Sequence, residues 1–228
     1  MFNYKVFDNF LTNSDFEEIS NLNLGDISDN GKKVFHNRIY KNGNIESSCI
    51  KKELIKRMHE KYFSQALNLL EAFAPKKINL YEYSDFHFVI AGKNYKYPIH
   101  IDTHNKLLSG VIYLKPTKNF GTRLYGENKK DSIDLEWKPN RALFFSRNKN
   151  TFHSYKSNGI SERITLIYNL MTTNVKEACK IDGDSYTIVR FKQYLKKILK
   201  YWVIKILFFI KLHRLTHIEI KENLWMYL

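Results

Sequence analysis

The chain has 228 residues, a formal net charge of +14, 43% hydrophobic and 26% charged residues, and two cysteines. That length suffices for one well-buried domain with a small appendage, and the balance excludes disordered, collagen-like and disulfide-stapled chains. Cys49 and Cys179 form no CxxC pair, so neither a disulfide framework nor a cysteine-based zinc site is expected, and a reducing cytoplasm fits. The opening Met1–Asp8 lacks the basic region and apolar core of a signal peptide, and no export is expected.

In chain order, Val6–Thr12 reads as a short strand and turn. Asn13–Ile19 reads as a helix start, with Ser14 as its cap and acids in the first turn. Residues 22–48 are polar and rich in Asn and Gly, which predicts loop with one short strand near Val34–Tyr40. A second helix is expected from about Ser48 to Phe73: Ile50, Leu54, Met58, Phe63, Leu67 and Leu70 recur near helical spacing, and Pro75 follows. Beyond Pro75 the texture becomes β-like. Ile78–Ile90 alternates and is rich in aromatics. Leu107–Leu114, Arg141–Phe145 and Arg163–Leu170 are further runs, parted by turn signals at 91–94, 119–121, 138–140 and 157–159. Helices followed by evenly spaced strands predict an α+β, mainly β chain: a jelly-roll core supported by N-terminal helices. The expected layout is a domain over 1–175, with helical support over 1–75 and the core over 76–172, then a helical extension over 176–228.

The extension is basic. From Arg190 onward nine Lys or Arg face two Glu, a balance of +7. Phe191, Tyr194, Leu195, Ile198, Tyr201 and Trp202 open an amphipathic helix expected from Arg190 to about Leu215, and Lys200, Lys205 and Lys211 break its apolar stretch well short of a membrane span. Such a helix suits a membrane interface, the catalytic domain or a second subunit; peripheral membrane contact through residues 190–228 is one expectation, and a Lys-rich solvated helix is the plainer one.

The segment Tyr97-Pro98-Ile99-His100-Ile101-Asp102-Thr103-His104 carries the first chemical signal. In an extended chain His100 and Asp102 point the same way. An imidazole and a carboxylate so placed supply two ligands of a two-His-one-carboxylate iron centre, and His153, 51 residues beyond Asp102, supplies the third. Ten residues later Arg163 opens the apolar run Arg163-Ile164-Thr165-Leu166-Ile167-Tyr168-Asn169-Leu170. A guanidinium inside a barrel needs a carboxylate partner, and the distal carboxylate of 2-oxoglutarate would be one; Thr165, on the same face, adds a hydroxyl donor.

The order His100-x-Asp102, Tyr113-Leu114-Lys115-Pro116, Gly121-Thr122-Arg123-Leu124-Tyr125, Lys138 through Phe145, His153 and Arg163 resembles the 2-oxoglutarate/Fe(II)-dependent oxygenase superfamily, in particular its prolyl-4-hydroxylase-like branch. The similar region runs from about Ile78 to Leu170. The resemblance implies that His100, Asp102 and His153 are the catalytic metal ligands, that Arg163 anchors 2-oxoglutarate, that Tyr113 helps hold its distal carboxylate and that Tyr97 lines the pocket. It implies Fe(II), 2-oxoglutarate and O2, with ascorbate as a stimulant, and hydroxylation rather than halogenation, because halogenating relatives have a small residue where Asp102 stands. One departure is Phe120-Gly121, where members commonly have two glycines, at what reads as a turn.

The branch acts on peptides, amino acids, small metabolites and glycans, so the resemblance leaves the substrate among small molecules, glycans or lipids, and peptides; the basic tail favours a lipid or glycolipid. Repair oxygenases of nucleic acids carry a second Arg shortly after the anchor, which this chain lacks, so a nucleic acid is not expected. His104 is expected beside the metal or facing substrate. Glu127 and Arg123 either reach the substrate or are solvated, and His36, His59, His87, His213 and His217 show no metal spacing. The alternatives are an inactive jelly-roll binding protein and a membrane- or nucleic-acid-binding protein acting through its tail.

Overall fold

The structure is a computed structural model and describes residues 2–209, with side chains to Lys205. Two antiparallel sheets face each other in a double-stranded β-helix, the jelly roll that the strand spacing predicts. The major sheet joins β1 (Lys5–Phe7), β10 (Ala142–Phe145), β7 (Lys106–Lys115), β12 (Arg163–Met171), β5 (Tyr83–Ala91), β3 (Asn37–Tyr40) and β4 (Ile45–Ser47) in that order, and β2 (Lys32–Phe35) also pairs with β5. The minor sheet runs β6 (Lys96–His100), β11 (His153–Lys156), β8 (Phe120–Tyr125), β9 (Ser132–Glu136).

Strand alternation divides the major sheet into two faces. Phe86, Phe88, Leu166, Tyr168 and Leu170 join the core beneath helix α2 (Lys52–Phe73), against Leu54, Ile55, Met58, Tyr62, Ala66 and Leu70. Each large side chain buried there contributes about 1.5–3 kcal/mol against chain entropy, which makes α2 the anchor of the sheet's outer face. The alternate residues Asp85, His87, Ser109, Arg163, Thr165 and Asn169 point inward and are all buried. Every residue of β5 is buried, so its run of aromatics is a two-sided strand.

Several boundaries differ from the sequence expectation. Helix α1 (Asn13–Ser20) is capped at Thr12, not Ser14, and the Thr12 hydroxyl donates to Asp15 (2.8 Å) rather than accepting from a backbone N–H of the first turn. Helix α2 begins at Lys52 rather than Ser48, because residues 48 and 49 hydrogen-bond through their backbone N–H groups to the Asn37 carboxamide. The polar stretch 22–48 contains three strands instead of one; its alternation is short and is stabilised by pairing with β5 and β3. Residues Pro75–Leu80 form a 3-10 helix with Pro at its start, which takes residues 78–80 out of the β-like run expected from Ile78. Gly121 lies within β8 rather than in a turn: a Cβ there would come within 1.9 Å of the Leu135 carbonyl oxygen, at an irregularity in the β8–β9 register.

Helix α3 (Val175–Ile181) is capped by Asn174, which accepts from Glu177 N–H (3.2 Å), and buries Ala178 and Cys179. Helix α4 (Tyr186–Phe209) starts before Arg190; residues 210–215 of the expected tail helix, with His213 and His217, lie outside the described residues. Ile188, Phe191, Tyr194, Leu195, Leu199 and Trp202 are exposed along α4. Among the described residues no helix is long and apolar enough to cross a membrane.

Candidate metal centre and anion pocket

His100 ends β6 and His153 begins β11, and the two stand opposite each other in the antiparallel register. Asp102 follows two residues later. The three side chains place one ligand atom each within 4.8 Å of one another, and the two imidazole centroids are 4.1 Å apart. Strand pairing thus brings together two histidines 53 positions apart in the sequence.

The protonation of both rings follows from their partners. His100 Nδ1 lies 3.0 Å from the Pro98 carbonyl oxygen, and His153 Nδ1 lies 2.9 Å from that of Thr151. A carbonyl only accepts, so each Nδ1 carries the proton and donates, leaving the Nε2 lone pair to face a metal. Burial, reinforced by His153, brings His100 down to about 3, and burial also lowers His153, so both rings are neutral near pH 7. Burial pushes the Asp102 carboxyl upward, but Lys106, His153 and His100 outweigh it and hold the group below the usual carboxylate range. Lys106 Nζ sits 2.8 Å from Asp102 Oδ1, and the Ser109 hydroxyl donates to Oδ2 at 2.6 Å. Two neutral imidazoles and a fixed carboxylate are the donor set that suits a divalent first-row metal.

Arg163 lies deeper in the same interior. It is 2% exposed, and among the described residues its Nε and Nη2 have no hydrogen-bond partner, nor does the Thr165 hydroxyl two residues on. Its guanidinium carbon lies 4.3 Å from the Tyr155 ring centre, 5.1 Å from Trp137 and 5.6 Å from Tyr113. The rings offer π faces but accept no in-plane N–H, so the orphaned donors fit the carboxylate of a bound anion. Among the described residues no acid is paired with Arg163; Glu136 bonds Arg141 (3.1 Å) instead. Aromatic contacts connect this pocket to the metal ligands: Tyr155 stacks on Tyr97 (5.4 Å), which packs edge-on against His100 (4.3 Å).

Tyr113 differs from its expected role. Its hydroxyl accepts from Thr122 N–H (2.8 Å) and donates to Thr122 Oγ1 (3.1 Å), and its ring stacks on Trp137, so it gives the pocket a wall rather than a donor. His104 turns away: its Nε2 is 2.8 Å from Asp184 Oδ2, which removes it from the metal and substrate side. Arg123 pairs with Asp134, and Glu127 is bonded to Asn150. A cavity of about 590 Å³ against the minor sheet reaches Tyr97, Trp137 and Tyr155 but none of the three metal-ligand candidates.

Three features were missed in the sequence. Lys32, on β2, is held down to about 8 by burial and by Lys106, with Asp102 opposing, and its Nζ lies 4.5 Å from the Tyr97 ring centre. Arg147 donates from Nε to the Asp102 carbonyl (3.2 Å) and pairs with Asp182 (2.5 Å) and Asp184 (3.0 Å), while Lys77 pairs with Asp182 at 2.7 Å. His36 and His87 converge on Asp85. Asp85-x-His87 is a local pair on one strand face, but topology alone brings His36, Lys32 and Arg147 to their partners.

No family model matches the chain, and no curated protein matches it in sequence. Among solved structures it is similar to a prolyl-4-hydroxylase from Pseudomonas putida, at 14% identity and a TM-score of 0.51, over 76% of this chain and 95% of that one. It is likewise similar to a viral collagen prolyl hydroxylase from Paramecium bursaria Chlorella virus-1, in a 2OG complex, at 16% identity and a TM-score of 0.51, over 75% and 96%. These likenesses establish the double-stranded β-helix.

Proposed function

We propose that this protein is an Fe(II)- and 2-oxoglutarate-dependent oxygenase that hydroxylates an unactivated C–H bond. The observation that carries the reading is the buried Arg163 guanidinium with unsatisfied N–H donors, in the same β-helix interior as the His100–Asp102–His153 cluster. With dioxygen as the oxidant, the iron and 2-oxoglutarate pair, when bound, would supply the oxidising chemistry, one oxygen atom going to the substrate C–H bond and the other to succinate as carbon dioxide is released. His100 and His153 would hold the metal through Nε2 and Asp102 through its carboxylate. The backbone carbonyls of Pro98 and Thr151 keep the rings in that tautomer, and Ser109 keeps the carboxylate oriented. Arg163 and Thr165 would bind the distal carboxylate, and Tyr155, Trp137 and Tyr113 exclude water from that pair. Lys32, Lys106 and Arg163 give the interior a positive balance suited to a dianionic co-substrate.

An anaerobic titration of metal-free protein with Fe(II) and 2-oxoglutarate tests the reading. A visible charge-transfer band is expected in wild type, absent in His153→Ala, and requiring at least about tenfold more 2-oxoglutarate in Arg163→Ala, since a buried charge-assisted pair contributes more than 1.4 kcal/mol. A well-folded wild type that gives no band and holds no metal would overturn it and favour a non-catalytic binding protein.

For the substrate, the exposed apolar and basic residues of α4 support a molecule presented at an anionic membrane surface, such as a lipid or glycolipid. Deleting residues 190–228 should abolish sedimentation with phosphatidylserine liposomes while leaving the charge-transfer band intact; unchanged sedimentation would exclude this role for the tail.

A further inference from the structure

We infer that His36, Asp85 and His87, with Asn169 beside them, form a second divalent-metal site, separate from the His100–Asp102–His153 cluster. Asp85 and His87 are two apart on β5 and share the inner face of the major sheet. His36 is the single residue between β2 and β3, both of which pair with β5, so sheet pairing sets its ring against His87 with centroids 4.9 Å apart. Asn169 on β12 stands in register with Asp85. Asp85 and His87 are buried, whereas the His36 side chain is 47% exposed, which leaves a route from solvent.

The spacing matches a metal polyhedron. His36 Nδ1 lies 3.3 and 3.2 Å from the two Asp85 oxygens, His87 Nδ1 lies 3.1 Å from Oδ2, and the Asn169 carboxamide is 3.4 Å from His87 Nδ1. Ligands at 2.0–2.1 Å from a tetrahedral ion are separated by about 3.3 Å. His87 Nδ1 faces both the Asp85 carboxylate and the Asn169 carboxamide, whose Oδ1 has no hydrogen-bond partner among the described residues in the orientation observed. Turning that amide over places Oδ1 in the 3.4 Å position, and a cation at the centre then accepts lone pairs from two imidazoles, a carboxylate and an amide oxygen. Arg38 Nε, 4.0 Å from Asp85 Oδ1, is too far to hydrogen-bond and is directed by its guanidinium to Glu46. Two imidazoles with two oxygens favour zinc or another late first-row ion over magnesium or calcium. An ion here would tie the β2–β3 link to β5 and β12 and so fix the strand that carries Lys32.

Zinc counting in a background without the first cluster tests the site. Chelator-treated His153→Ala, loaded with Zn²⁺ and freed of excess by gel filtration, should retain about one equivalent by elemental analysis and show a higher thermal midpoint with the ion. Adding His36→Ala, a change at an exposed side chain, should weaken retention at least about tenfold, and Asp85→Asn should do the same. A His100→Ala background repeats the measurement if His153→Ala does not fold by circular dichroism. Folded protein from either background that retains no zinc, or retention unchanged by both His36→Ala and Asp85→Asn, overturns the proposal. These outcomes do not depend on the oxygenase reading, because neither background keeps the first cluster intact.

Discussion

Arg163 is a residue kept at a cost. Desolvating a guanidinium without a counter-ion costs several kcal/mol, and burial indeed pulls its pKa below the ordinary arginine value. Contacts with three rings return about 0.5–2 kcal/mol each, which offsets much of that cost but leaves the N–H donors on Nε and Nη2 without a hydrogen bond among the described residues. Arg163→Met, a flexible thioether among Tyr155, Trp137 and Tyr113, should therefore leave the ligand-free protein as stable as wild type or about 1 kcal/mol more stable. On the oxygenase reading, 2-oxoglutarate with Mn²⁺ should raise the unfolding midpoint of wild type, and the same variant should lose that stabilisation. A structural role for Arg163 predicts the opposite, a fall in the ligand-free unfolding midpoint.

At the level of elements, α1 and α2 are joined through Asp15. Its carboxylate accepts from Tyr62 (2.6 Å), Thr12 (2.8 Å) and Lys61 (2.7 Å), and Arg57 lies 3.3 Å away. Burial raises the carboxyl, but the Lys61, Tyr62 and Thr12 hydrogen bonds outweigh it and lower the pKa from 3.8 to about 2. A folded-state pKa below the unfolded value means stability that is complete above 3.8 and lost as the pH falls through about 2. The stability difference between wild type and Asp15→Asn, from urea unfolding, should accordingly be largest above pH 4 and shrink across that window; a constant difference would assign the effect to packing. The β8 strand teaches a related lesson. Gly121 looks like turn chemistry in the sequence, yet it is a strand position where the Leu135 carbonyl leaves no space for a side chain.

For the whole molecule, the question is where the folded domain ends. Residue 175 is where the β pattern gives out, but Asp182 and Asp184 are the partners of Lys77 and Arg147, and Arg147 in turn holds the Asp102 carbonyl. A chain ending at 175 strands two buried cations, and removing one partner of a buried pair costs about 3–5 kcal/mol. A chain ending at Ser185 keeps every one of those pairs. We expect the shorter truncation to unfold at a markedly lower temperature or to be insoluble, and the longer one to keep the wild-type midpoint and the His100–Asp102–His153 cluster. Equal midpoints would place the boundary at 175.

The sequence by itself determined the local patterns: the strand runs of the β-helix, the amphipathic α2, the His100-x-Asp102 pair on one strand end, and Arg163 with Thr165 on one strand face. These are legible because each depends on the period of a single element, two for a strand and 3.6 for a helix. The ordered spacing from His100 through His153 to Arg163 added the resemblance. Only the tertiary structure decided what meets across elements. It put His153 opposite His100, turned His104 to Asp184, engaged the Tyr113 hydroxyl with Thr122, and drew His36 to Asp85, 49 residues away, and to His87. Strand order and register set those neighbours, and both follow from how the whole chain buries its apolar faces, a condition that no local window contains.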